Sequence, residues 1–135
     1  MTKSRMALAA FLTAASFTIL DALVHYFYEP LEIYYYPYKY VGVQSPLLNY
    51  AMSKLVASTA ILFILFYLFA KTDWNPYVRY GLITLILVGL LEIRYVISGR
   101  YDAQWHILNF INHFLTLSIS LALVDRLGFM RRTES

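Results

Sequence analysis

The chain has 135 residues, of which 60% are hydrophobic and 14% charged, with a mean hydropathy of +0.56. Soluble domains carry about 25% charged residues, and one small domain has too little interior to hide this much apolar surface, so the figures exclude an ordinary soluble fold. The net charge of +3 does not imply a nucleic-acid partner, because the basic residues form no patch and membrane topology accounts for them better. With no cysteine in the chain, disulfides, thiolate metal sites and cysteine nucleophiles are ruled out.

Four apolar segments follow one another, each long enough for the roughly 20 helical residues that cross a hydrocarbon core. The first covers about residues 6–28, from Met6 to Tyr28, and is stopped by Pro30. Lys3 and Arg5 ahead of it give it the look of a secretory signal. The stretch runs on through Asp21 and His25, so it is read as a retained first helix. The second, residues 47–70, is introduced by Ser45-Pro46, a cap residue followed by proline at the first helical position. The third, residues 76–98, starts the same way at Asn75-Pro76 and ends at Ser98-Gly99. The fourth, residues 103–124, follows Asp102, a suitable N-cap. Lipid offers no partner to backbone polar groups, so these segments are expected to be helices and not strands.

Links of roughly five residues, two to three and three to four, force neighbouring helices to reverse direction. The expected fold is an all-α, integral membrane, four-helix up-down-up-down bundle forming one domain over residues 1–135. The first link, residues 29–45, is longer. Six of the chain's thirteen tyrosines lie between Tyr28 and Tyr40, and tyrosine favours the membrane–water boundary. This segment is expected to lie on the surface over the mouth of the bundle, as interface anchors or as a lid made by Tyr34, Tyr35, Tyr36, Tyr38 and Tyr40. Lys3, Arg5, Lys71, Arg79, Arg126, Arg131 and Arg132 fall on the side of the termini, against Lys39 and Arg100 in the opposite links. That bias places both termini in the cytoplasm, with the chain in a cell or plasma membrane.

Ionisable residues inside transmembrane segments are costly and usually mark a site or a pairing partner. Here they are Asp21 and His25 on the first helix, Lys54 on the second, Glu92 and Arg94 on the third, and His106 and His113 on the fourth. With the topology above, all of them fall in the outer half or near the bilayer centre. At 100° per residue, His106 and His113 differ by about 20° in direction, and Asn109, Asn112, Thr116 and Ser120 share their stripe. Asp21 and His25 are one turn apart, and Ala10 and Ala14 continue their face as small residues that let another helix approach. Tyr50, Lys54 and Ser58 make a weaker stripe on the second helix. On the third, Glu92 shares a face with Gly81, Thr84 and Gly99, while Arg94 points about 160° away and is the candidate for a subunit contact.

Two uses of this cluster follow from its chemistry. Asp21, His25, Glu92, His106 and His113 are imidazole and carboxylate groups suited to zinc, iron or copper, and metal-binding bundles draw such ligands from facing helices. Alternatively the groups satisfy one another: Lys54 neutralises Asp21 or Glu92, the histidines bond Asn109 or backbone, and Lys54, Asn109, Asn112 and Tyr95 form a polar network that fixes helix register. An outward-facing pocket for a lipid, a quinone or another small amphipathic ligand is a further possibility, as is a proton relay, although a full relay calls for ionisable groups through the other half as well. No Gly-x-Ser-x-Gly, His-Glu-x-x-His or Gly-x-x-x-x-Gly-Lys-[Ser/Thr] motif is present; the alternatives are a metal-dependent membrane enzyme or redox subunit, with Glu92 or Asp21 as general base, and a transporter unit. The expectation is a small membrane subunit or ligand-binding component that works as a homo- or hetero-oligomer.

Overall fold

Four α-helices are the only regular elements among the described residues of a computed structural model, which describes residues 2–27, 46–99 and 103–128. They are α1 (Lys3–Phe27), α2 (Pro46–Phe69), α3 (Pro76–Ser98) and α4 (Ala103–Arg126). Each has 23 to 25 residues, which at 1.5 Å per residue is a rod of roughly 35 Å, longer than a hydrocarbon core of about 30 Å. All four are long and apolar enough to cross a membrane. The tyrosine-rich link, the caps expected at Ser45 and Asp102, and the side chains of His25, Tyr50, Arg94 and Tyr95 lie outside the described residues.

Local chemistry sets the ends of α3. The Asn75 side chain accepts the Tyr77 backbone N–H at 2.9 Å, and Pro76 occupies the first turn, where its missing N–H costs nothing. At the other end Gly99 adopts φ 63°, ψ 14° and donates its N–H to the Val96 carbonyl. That left-handed cap is accessible to glycine without a Cβ clash.

Each helix packs against two others: α1 against α2 and α4, and α3 against α4 and α2. The most extensive of these contacts is between α1 and α2. Ala9, Ala10 and Ala14 are fully buried, as expected of a small-residue face that brings helix axes together. The apolar interior is completed by Phe17 from α1, Leu62, Leu65 and Phe66 from α2, Ile83, Leu87 and Val88 from α3, and Leu117, Leu121 and Val124 from α4.

The outside is as apolar as the inside. Ile19, Val56, Ile64, Ile97, Ile107 and Ile119 are all exposed, while Asp21, Lys54, Glu92, Asn109 and His113 are buried. Water would penalise the first set and welcome the second; hydrocarbon reverses both preferences. Tight packing around the alanines makes a specific prediction. Ala14→Leu should overfill the interior and destabilise the bundle by about 1–3 kcal/mol, whereas Ala7→Leu, at an exposed position of the same helix, should leave stability unchanged. Thermal unfolding of both variants in mild detergent would check this.

Candidate functional site

Asp21 stands one turn after Phe17 on α1, and Lys54 two turns into α2. Their side chains are 1% and 2% exposed, with Lys54 Nζ 2.5 Å from Asp21 Oδ2. An isolated charge at this depth would be prohibitive, whereas a close opposite charge recovers much of the lost hydration. The ammonium also lies 4.1 Å from the centre of the Phe17 ring, whose electron-rich face attracts a cation. Of the two partners the sequence allowed for Lys54, the structure selects Asp21.

The polar stripe of α4 enters the same cluster. Asn112 Nδ2 donates to Asp21 Oδ1 at 2.9 Å, and Asn109 Nδ2 donates to Glu92 Oε1 at 2.5 Å. His113, 0% exposed, sits between the two carboxylates. Its Nδ1 is 3.0 Å from Glu92 Oε1, and its Nε2 is 3.3 Å from Asp21 Oδ1, an ion-pair separation without hydrogen-bond alignment. Phe17 meets the imidazole edge-on, with ring centres 5.8 Å apart. All four helices therefore contribute to one buried network: Lys54 from α2, Asp21 from α1, Asn112, His113 and Asn109 from α4, and Glu92 from α3. Along α4, Thr116 and Ser120 return their hydroxyls to the carbonyls one turn earlier, which satisfies them within the helix.

Two consequences are chemical. A neutral imidazole offers one N–H and one lone pair, yet both ring nitrogens of His113 face carboxylate oxygens that already accept from asparagine amides. Only the Nδ1–Glu92 contact has hydrogen-bond alignment; Nε2 faces Asp21 Oδ1 at ion-pair distance without it. In addition, Glu92 Oε2 is buried and accepts no hydrogen bond from the described residues.

The five side chains suggested as metal ligands are not all brought together. Asp21, Glu92 and His113 meet, His106 is half-buried two turns from His113, and the His25 side chain is outside the described residues. Among the described residues no group of three or more His, Asp and Glu side chains is arranged to hold a metal ion. The geometry gives the reason: His113 turns its two nitrogens to different carboxylates, and the Lys54 ammonium takes the place beside Asp21 that a cation would need.

Sequence reasoning missed two contacts. Phe17 sits in an apolar run with nothing to distinguish it. Asp125 lies just beyond the expected end of the fourth segment, and the Tyr80 hydroxyl on α3 donates to its Oδ1 at 2.9 Å, making a second polar contact at the opposite end of the bundle. Near it, the Arg5 guanidinium reaches the Gly128 carbonyl. Neither a family model, nor a curated protein, nor a solved structure matches this chain.

The Lys54–Asp21 contact can be tested by the order in which its members are removed. Lys54→Met alone leaves a buried carboxylate without its cation and should cost about 3–5 kcal/mol. Lys54→Met with Asp21→Leu removes both charges and should recover much of that loss. Unfolding midpoints that are equal in the single and double variants would show that the charges do not depend on each other.

Proposed function

We propose that this chain is a multi-pass membrane protein whose buried Asp21–His113–Glu92 cluster takes up and releases a proton, and that it does so as one component of a larger membrane assembly. The observation that carries this reading is the fully buried His113 with a carboxylate facing each ring nitrogen. Packing alone calls for no second carboxylate at ion-pair distance from a ring nitrogen that makes no hydrogen bond. Glu92 Oε2, buried and without a donor, gives the proton a second seat next to the ring, and His with Asp or Glu is the usual chemistry of proton transfer inside membranes.

The assembly follows from what the rest of the interior is made of. Toward the chain termini the core is built of Leu62, Ile83, Leu87, Val88, Leu117 and Leu121, with the buried hydroxyls of Thr13, Ser58, Thr84 and Ser120 among them. No ionisable side chain is buried in that half among the described residues, so on this reading the chain supplies access from one side and a partner, another copy or a different subunit, supplies the rest. The cluster belongs to the outer half when the helices alternate up and down with both termini cytoplasmic. The alternation is supported by contacts that join the start of one helix to the end of another: Lys54 with Asp21, Tyr80 with Asp125, and Arg5 with Gly128. The cytoplasmic placement is supported by the basic residues gathered at that end.

The decisive experiment is nitrogen NMR of isotope-labelled histidine in lipid bilayers, with His113→Gln to identify the signal. A ring protonated on both nitrogens that exchanges reversibly with a singly protonated one, over the pH range in which the protein stays folded, is the expected result. An imidazole locked in one charge state throughout would reduce the cluster to packing glue. Orientation is checked separately, using the absence of native cysteine. Single cysteines at the exposed positions Asp73 and Ala103 should react with a membrane-impermeant thiol reagent from opposite faces, Asp73→Cys only when the cytoplasmic face is open to it.

A further inference from the structure

At the end of the bundle away from the His113 cluster, α3 and α4 part to leave a cavity of about 340 Å³. Its shallow floor is lined by the small residues Gly81 on α3 and Ser118 on α4, both half-buried, and by Ala122 one turn further along α4, which is exposed. There is further room at Gly81, where an added Cβ would meet nothing within 4 Å. Thr84 and Leu121, both buried, close the deep end. The mouth is framed by Tyr77, Asp125 and Arg126, and it opens on the outer flank, since Tyr77 is 84% exposed.

The chemistry of the mouth is unusual for a crevice between helices. Asp125 and Arg126 are adjacent and of opposite sign. The Tyr80 hydroxyl holds Asp125 through Oδ1 alone, which leaves the second carboxylate oxygen for another donor. Both residues end α4 and its membrane-capable stretch, His106–Arg126, and so lie where headgroups begin. The recess beneath them is mixed, with Gly81, Leu121 and Ala122 beside the hydroxyls of Thr84 and Ser118. An occupant that matches all of this has an ammonium for Asp125, a phosphate for Arg126 and an acyl chain for the Gly81–Ser118–Ala122 floor. We infer that this notch binds a zwitterionic aminophospholipid of the phosphatidylethanolamine type. Choline in place of ethanolamine keeps the positive charge and loses the N–H donors, while a purely anionic lipid satisfies Arg126 and is repelled by Asp125. This inference stands apart from the proton-exchange reading, since it uses neither the same residues nor the same end of the bundle.

Native mass spectrometry of the full chain tests it. Protein extracted in mild detergent and stripped of lipid is incubated with equal amounts of phosphatidylethanolamine, phosphatidylcholine or phosphatidylglycerol, or with soluble glycerophosphoethanolamine. Retention of one phosphatidylethanolamine in preference to phosphatidylcholine by about fivefold, equivalent to roughly 1 kcal/mol, is the expected result. The soluble headgroup should not be retained. Asp125→Asn should erase the preference for the ethanolamine lipid over the choline lipid, Arg126→Gln should weaken retention of every phospholipid, and Gly81→Leu should close the floor. The two mouth variants are at the half-buried and exposed end of α4, so they read out binding even if Gly81→Leu fails to fold. Equal retention of the three lipids, a preference for phosphatidylglycerol, retention of the soluble headgroup, or an Asp125→Asn protein that keeps its preference would each overturn the inference.

Discussion

Everything polar in this bundle hangs on the rule that a charge placed in a low-dielectric interior must find its counterpart within the protein. Lys54 meets Asp21, Asp21 takes Asn112 and faces His113, and His113 reaches Glu92. That series runs from α2 to α1 to α4 to α3, and it passes along three of the four helix contacts of the fold. Neutralisation and helix order are therefore one constraint. Shifting any helix by a turn would separate a charge from its partner, so the network fixes register in the same act by which it sets His113 against Glu92.

The other half of the interior enforces this by offering nothing in exchange. Leucine, valine, isoleucine and alanine make up most of it, the α4 hydroxyls there bond their own helix, and Thr13, Ser58 and Thr84 add buried hydroxyls but no charge. In a low-dielectric interior the members of the cluster act on each other more strongly than they would in water. A mainly apolar half and a half that holds the charged cluster make the two ends of the molecule chemically unlike, although the four helices are of nearly equal length.

The membrane-capable segments, the Asn75-Pro76 start and the polar stripe of α4 are legible in the sequence, because each depends on spacing within one segment. The buried set Asn109, His113, Thr116 and Ser120 is the stripe that helical periodicity picks out. Partner choice is a different kind of information. Periodicity says which way His113 points from its own axis and not which carboxylate it will meet. Thus Asn109 serves Glu92 where a histidine was the expected partner, and Lys54 had two acceptable acids. The metal expectation rested on residue types that are indeed present, but ligation needs several lone pairs converging on one point, and His113 spreads them apart. Phe17 carries no signal because an aromatic ring under a cation looks the same in sequence as one packed against leucine.

Lys54 and Asp21 are on successive helices, and so are Glu92 and the α4 side chains that meet it. This arrangement bears on how the chain enters a bilayer during synthesis. A lone α1 would carry an uncompensated aspartate into hydrocarbon and a lone α2 a lysine, each against a penalty of about 3 kcal/mol at the bilayer centre. Entering as a hairpin, the two neutralise each other before either is committed. The third and fourth helices have a weaker version of this, in which the Asn109 amide hydrogen-bonds Glu92 without cancelling its charge. The nascent chain is thus suited to insertion two helices at a time, and His113 closes the cluster only when the second hairpin meets the first.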